Sequence, residues 1–410
     1  MKIDDKTPKI KINKKDKELN SFEMFSSGTY GCASYPRIDC KTGRKDKNNK
    51  THISKLSANG FFTNNEFFIG KILKAIKLED NLNDKERDIL DKLNYVEKKC
   101  NIEKKKLRID ESKHKCKVLK RNQTNLTLMQ TRYIESQDID SYLFDNFELK
   151  KLFRYYFFIL NCLIFLHNHE IIHHDLHLGN TLIDRDDEFH LIDFGISLYV
   201  PNFFMGEESI FSNDDLNYKY LRKILLGFDP LWKYWPVEYH ILCFFVYNRR
   251  PLTKNSLKSI LDQYFKSSVA ELFSHYFGNI EKYKKLCFVH LSKIYIDSKL
   301  SIEEHCVTIL RNACYTWDIY QLNYNMLDII KFYSLRNIDS LIHLLKQGLH
   351  YDYEKRNHSQ YYKTEFIEIL KQYKNAENRV YSKEKYDSKY NVKQLYESKK
   401  NEIEENDFSY

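Results

Sequence analysis

No stretch of this sequence is apolar enough, over enough residues, to span a membrane. The longest apolar run, residues 155–166, is broken by Asn161 and falls short of the roughly 20 residues that a bilayer requires. The first residues lack an apolar core, so no signal peptide is expected. Disulfide-like cysteine spacing is also missing. The nine cysteines are an odd number, which fits a reducing, cytoplasmic interior and buried free thiols. Cys32 could approach Cys40, and Cys100 could meet His114 and Cys116, but neither group supplies four zinc ligands. Nor is there a compact Arg-rich or aromatic-basic module. The net charge of +9 is the small difference between 66 basic and 57 acidic residues spread along the chain, which excludes a dedicated nucleic-acid surface.

What is present is concentrated in residues 171–195, IIHHDLHLGNTLIDRDDEFHLIDFG. Asp175 lies in a polar turn between apolar runs, Asn180 follows closely, and Asp193 opens a loop containing Gly195. Residues 180–184 and 189–193 read as short strands joined by an acidic turn. Phosphoryl transfer needs a carboxylate to orient the acceptor hydroxyl, and an Asn and a second carboxylate to hold magnesium against the phosphates. This segment supplies all three. It resembles the catalytic core of the protein-kinase-like superfamily: an HxDxxxxN loop (His173, Asp175, Asn180) followed by a DFG motif (Asp193, Phe194, Gly195).

The resemblance implies a phosphate loop, a strand lysine and a helix glutamate upstream. Ser26, Gly28, Thr29, Tyr30, Gly31 and Ala33 are similar to a glycine-rich hairpin, with Ser26 in place of its first glycine. Glycine lets backbone approach phosphate oxygens because no Cβ intervenes. Lys55 is the strand lysine, with Lys50 as the alternative should the register slip, and Glu66 is the helix glutamate. Asn64 or Asn65 is expected to cap that helix, with Phe67, Ile69, Leu73 and Ile76 inward. Residues 126–130 form the strand leading to the hinge, and Met129 on it is counted among the nucleotide contacts. The GTYGC segment, the residues around Tyr35 to Cys40 and the Lys55 strand are similar to the serine/threonine kinases attributed to giant DNA viruses. For such a protein the host cytoplasm or the virion is the expected location.

The implied fold is α+β and bilobal, with a small β-rich N-lobe and a larger helical C-lobe. A polar N-terminus (1–22) precedes an N-lobe (23–135) with a charged helical excursion at 78–120, a C-lobe (136–372) and a charged tail (373–410). The three- and four-residue steps from Leu149 to His167 predict one long helix. Trp235, Pro236, Val237 and Glu238 look like the element that closes an activation segment, with Arg356 as the partner of Glu238. Asp318, at the start of the next family helix, is expected to hold the catalytic-loop backbone. A helical insertion at about 240–315 separates the two anchors.

Three features qualify the function. His169 and His173 form an HExxH pattern, but a zinc protease helix would have to continue where a polar loop follows. His174 replaces the usual Arg that reads activation-segment phosphorylation, so Ser197, Ser209 and Ser212 are not expected to switch the chain through it. His177 stands where protein kinases place a phosphate-contacting Lys, and DLHxGN is common in aminoglycoside and choline kinase-like enzymes. The expected activity is transfer of the ATP γ-phosphate to a Ser or Thr of a protein substrate, with magnesium, or manganese in its place. Asp175, Lys55, Glu66 and His177 carry the catalysis and Asn180 and Asp193 the metal. A small-molecule phosphotransferase and a binding-only pseudokinase are the alternatives.

Overall fold

A computed structural model describes residues 24–27, 31–44, 46, 50–58, 60–107, 116–120, 124–137, 139–144, 147–204, 216–225 and 234–374. Residues 1–22, Gly28, Thr29, Tyr30, His114, Ser209, Ser212 and the tail from 375 lie outside them, as does the side chain of Ser26. The chain divides into two units. One runs to Asp80 and resumes with Asn94–Ile134; the other comprises Asn81–Leu93 and everything from Glu135.

Five antiparallel strands build the first unit. β1 (Met24–Ser27), β2 (Gly31–Ser34), β3 (His52–Ala58), β4 (Lys98–Glu103) and β5 (Asn125–Arg132) lie in the order β1-β2-β3-β5-β4. Their registers align Ala33, Lys55, Met129 and Lys99 in one row, and Cys32, Leu56, Leu128 and Cys100 in the next. Successive strand residues face opposite ways, so these rows belong to opposite faces of the sheet. Helix α1 (Phe61–Lys77) covers the Lys55 face, where Thr63 Oγ1 meets Ser57 Oγ at 2.8 Å. Its start is earlier than expected: Gly60 is the N-cap, Asn64 bonds the Lys99 ammonium, and Asn65 is buried. The inward face therefore carries Glu66 and Gly70 beside Ile69, Leu73 and Ile76, while Phe67 is half-buried.

The opposite face has its own apolar cover. Ile38, Leu107, Val118 and Leu119 pack on Cys32, Leu56, Leu126 and Leu128. Segment 78–120 differs from the helical excursion expected of it: it holds α2 (Asp84–Lys92), the edge strand β4 and the short helix Lys117–Lys120. β4 escapes notice in the sequence because only Ile102 of its six residues is fully buried. Helix α2 belongs to the second unit, where Leu90 is buried and Lys92 bridges Asp88 and Glu188.

The expectation of nine free thiols is corrected. Cys32 pairs with Cys116 and Cys40 with Cys100, at Cα separations of 5.9 and 6.1 Å that suit disulfides. Cysteine spacing along the chain could not reveal this, because the partners meet only through strand register. The sheet also rules out one shared zinc ion, since Cys32 and Cys100 stand three strands apart, about 14 Å. Cys162, Cys243, Cys287, Cys306 and Cys314 are free and buried.

The second unit is organised by two long helices. α3 (Leu149–Asn168) buries a broad stripe that includes Leu152, Tyr156, Ile159, Leu160 and Leu163. From it the chain passes through β6 (Ile171–Ile172) to the hairpin of β7 (Thr181–Asp184) and β8 (Phe189–Ile192), then to β9 (Leu198–Tyr199), which pairs with β6. Helices α4 (Tyr218–Ile224) and α5 (Val237–Asn248) follow, then α6 (Lys254–Tyr264), α7 (Ser267–Phe277), α8 (Ile280–Tyr295) and α9 (Ile302–Asn312). The last four occupy the stretch where the insertion is expected. They deliver the chain to α10 (Trp317–Phe332), which is buried almost all round, its polar residues included, as a central core helix. α11 (Asp339–Gln347) and α12 (Ser359–Lys374) complete the unit. Glu238 at the start of α5 accepts from the Arg356 guanidinium and from Trp317 Nε1 at 3.1 Å, with Glu238 and Arg356 both buried.

Two outcomes test this arrangement. Denatured but unreduced protein should titrate five thiols, and nine only after reduction; nine without reductant rules out the cross-links. Each pair closes a chain separation of 84 or 60 residues, worth about 4–5 kcal/mol in the chain-entropy account, so reduction should lower the unfolding midpoint. Arg356→Ala, which strands a buried carboxylate, should cost about 3–5 kcal/mol by urea denaturation. A loss below 1 kcal/mol would place the pair in solvent.

Candidate active site

In the first unit the Lys55 ammonium lies 3.0 Å from Glu66 Oε2 and 3.2 Å from Oε1. Glu66 is buried, so this ion pair is screened far less than a surface pair. Lys50, the alternative lysine, precedes β3 and is exposed. Ala33 and Met129 flank Lys55 in register, and Gly31 pairs with Ser57. A Cβ at Gly31 would run into the Leu56 carbonyl oxygen, so β2 and β3 can approach as they do only with glycine there.

In the second unit the loop after β6 is held by side chains of α10. Asp318 accepts the His173 N–H at 2.8 Å and the His174 N–H at 2.7 Å, as its place in the sequence led us to expect. Gln321 accepts the Leu176 N–H at 2.7 Å and donates to the His174 carbonyl at 2.8 Å. Asn325 donates to the Leu176 carbonyl at 2.9 Å. Sequence reasoning named only the first of these. The signal for the others was a polar stripe, Asp318, Gln321 and Asn325, at helical steps of three and four. Burial pushes the Asp318 carboxyl up, but the His167 hydrogen bond and charge, His173 and the His174 N–H outweigh it and hold it below the usual range.

His173 fixes the next layer. Its Nε2 lies 3.1 Å from the Ile192 carbonyl and its Nδ1 3.4 Å from the Asp175 N–H, which puts the proton on Nε2. Burial lowers its pKa and keeps the ring neutral. Asn180 donates its amide to the Asp175 carbonyl at 2.8 Å and to Asp175 Oδ2 at 3.1 Å. With the nitrogen committed, the Asn180 oxygen is the group left for a cation. Asp193 takes a positive φ of 64°, and Oδ1 accepts the Gly195 N–H at 3.3 Å. His177 Nε2 stands 3.7 Å from Asp175 Oδ1. Burial raises the Asp175 carboxyl, His177 pulls it back, and the Asp193 charge adds to the rise. Asp175, Asn180, His177 and Asp193 therefore form one polar group. Hard oxygens from Asn180 and Asp193 suit magnesium better than a soft metal.

His174 is the main departure from expectation. It is not a weaker, pH-dependent substitute for Arg: it is buried, stacked 5.3 Å from Trp235 at an interplanar angle of 7°, with Tyr239 and Trp317 around it. Among the described residues neither ring nitrogen has a hydrogen-bond partner. Burial drives its pKa from 6.5 to about 3, so it is neutral. Ser197 is also buried, its hydroxyl donating to the His173 carbonyl at 2.9 Å. The HExxH pattern does not make a zinc helix. α3 ends at Asn168, Glu170 has a φ of 59°, and His173 lies beyond β6. Among the described residues no three His, Cys, Asp or Glu side chains are grouped to hold a metal.

Residues 91–210 match the family of protein tyrosine and serine/threonine kinases. Over 49 residues the chain is 39% identical to a protein named "Probable serine/threonine-protein kinase KIN1 homolog" from Encephalitozoon cuniculi (strain GB-M1). That alignment covers 12% of this chain and 9% of the relative. The fold is that of a protein kinase domain, α+β with a β-rich N-terminal unit and a larger helical C-terminal unit.

The neutral His174 gives a sign-definite test. Its pKa is depressed on folding, so its contribution is complete above the unfolded value near 6.5 and is lost as pH falls toward about 3, where the unfolded chain alone takes the proton. His174→Phe should keep the aromatic stack and flatten the loss of stability between these limits. An unchanged acid limb would mean that the ring is solvated.

Proposed function

We propose that the chain is an ATP-dependent serine/threonine protein kinase that transfers the γ-phosphate to a protein hydroxyl. What carries the reading is the combination of Asp175, Asn180 and Asp193 in one polar group, with α10 side chains bonding the backbone of His173, His174 and Leu176 on either side of Asp175. The intact Lys55–Glu66 pair supports it. In this scheme Lys55, fixed by Glu66, grips the α- and β-phosphates. Gly28 and Gly31 of the phosphate loop cover them, with Ser26, Thr29, Tyr30, Ala33 and Met129 contributing contacts. Asn180 and Asp193 hold magnesium, or manganese in its place, which neutralises phosphate charge when bound.

Asp175 orients the acceptor hydroxyl. As its oxygen bonds to the γ-phosphorus, the bond from that phosphorus to the β-bridging oxygen breaks, ADP leaves, and the hydroxyl proton passes to the Asp175 carboxylate. His177, beside Asp175, is the group that meets the transferring phosphate. Activity without activation-segment phosphorylation follows from the neutral His174 and the buried Ser197, neither of which can read or take a phosphate. The DLHxGN pattern around His177 supports a second reading, phosphorylation of a small metabolite. A location in a host cytoplasm or virion, by likeness to giant-virus kinases, belongs to the same proposal.

Purified protein with radiolabelled ATP should label a generic Ser/Thr protein acceptor, undiminished after phosphatase pretreatment. Label confined to amino alcohols or sugars would install the second reading, and ATP binding without any transfer would make the chain a pseudokinase. Asp175→Asn should lower transfer about 10²–10⁴-fold with little change in ATP affinity. The base must be ionised to act, and its pKa is raised. The acid limb of kcat/KM should therefore lie above the ordinary carboxylate range and vanish in the Asn variant.

A further inference from the structure

The second unit turns one helix face outward that has no role in the chemistry above. α8 buries Tyr283, Cys287, Leu291 and Tyr295, at steps of four, and this seam fixes its orientation. Tyr283 packs edge-on against Phe265, Lys284 pairs with Asp262 of α6, and His290 meets Tyr351 on the other flank. Lys282, Lys285, Leu286, Val289 and Lys293 follow at steps of three and four along the opposite side, and all five are exposed. Leu286 is 49% exposed and Val289 60%, with Leu300, just past the end of the helix, at 46%. Six large apolar side chains are exposed among the described residues, and three of them fall in this one segment.

The charge around these apolar tips is of one sign. Residues 281–300 hold five lysines against two acids, Glu281 and Asp297, and the whole stretch belongs to the described residues. Lys284 is spent on Asp262 and, at 3.9 Å, on Glu281, which removes that acid from the count as well. Among the described residues the ammonium groups of Lys282, Lys285, Lys293 and Lys299 enter no ion pair. Four free cations therefore surround three exposed apolar side chains, with Asp297 as the acid that remains.

The shape of the face selects its occupant. It is the convex ridge of a single helix, whereas a peptide segment docks in a groove. A planar surface with hydrocarbon beneath a layer of negative charge satisfies both kinds of side chain. The tips of Leu286 and Val289 enter the hydrocarbon, and the lysine stems lie along it with their ammonium groups at the level of the headgroups. From these observations we infer that the outward face of α8 binds the surface of an anionic lipid bilayer. This is adsorption by one helix face, with nothing crossing the bilayer, and it does not depend on the phosphotransfer reading. Each lysine brought to an anionic surface is worth roughly fivefold in binding, so the lysines set the preference for negative lipid and the apolar tips set the depth.

The test uses the full chain and two sets of vesicles, one of phosphatidylcholine alone and one with about a third phosphatidylserine. Cosedimentation should show binding to the second set about tenfold tighter or more, weakening as salt rises. Lys285→Gln combined with Lys293→Gln should lower that binding about 25-fold. Lys41→Gln combined with Lys74→Gln removes the same charge from exposed positions of the first unit and should change it less than about twofold. Leu286→Ser combined with Val289→Ser should weaken binding with every lysine intact. Val289→Trp should shift its emission to the blue on anionic vesicles; circular dichroism checks that each variant is folded. Equal binding to both vesicle sets, or to neither, overturns the inference. So does an equal loss in the two lysine pairs, or a Val289→Trp emission that stays where it is in water. Carbodiimide cross-links from Lys285 or Lys293 to Glu402, Glu404 or Glu405 that persist beside anionic vesicles would assign the face to the chain's own tail and overturn it too.

Discussion

The geometry of the loop that carries Asp175 depends on one buried carboxylate. Asp318 takes the N–H groups of His173 and His174, two consecutive donors that face the core and have no strand or helix partner of their own. An unpaired buried donor costs about 1–3 kcal/mol, so without Asp318 the loop would turn outward or pull in water. Asp318 is in turn kept charged by His167 and by the donors it serves. Gln321 and Asn325 extend the grip to Leu176. The loop that carries Asp175 is therefore positioned from behind, by a helix far away in sequence.

How much of this was legible in the sequence depended on the range of each interaction. Asp175, Asn180 and Asp193 were readable because their relation is local, set by a short loop and one hairpin. Glu238, Arg356 and Asp318 were readable because each stands beside distinctive residues, Trp235 and Trp317 above all. The cysteine pairs were not readable: Cys32 meets Cys116 and Cys100 meets Cys40 only through the sheet and the segments laid over it. The edge strand carrying Cys100 was hidden by its lysines: of its six residues only Ile102 is fully buried, so no apolar alternation marks it.

The sheet of the first unit divides its work between two faces. One face presents Ala33, Lys55 and Met129, a row that mixes a cation with small and apolar neighbours. The other is apolar and cross-linked. A small β sheet covered by one helix and a few loop residues buries little surface for its length and is correspondingly marginal. The apolar cover and the two cross-links supply stability on the side where no charge has to be accommodated. Lys55 can then remain partly exposed at the cost of only one buried carboxylate, Glu66.

His174 shows why a substitution must be read with its surroundings. Taken alone, a histidine in an Arg position suggests a weaker, pH-sensitive version of the same phosphate contact. Trp235, Tyr239 and Trp317 remove that option, because a charged imidazole inside three aromatic side chains and out of reach of solvent is too costly at any ordinary pH. The aromatic stack does by packing what an Arg–phosphate pair does by charge: it ties the loop to the start of α5, reinforced by the Trp235 bond to the His174 carbonyl. A contact made by packing cannot be switched by adding or removing a phosphate. The buried Glu238–Arg356 pair and the Asp318 hydrogen bonds fix the same loop and the start of α5 from within the core, so His174 is held by packing on one side and by hydrogen bonds on the other.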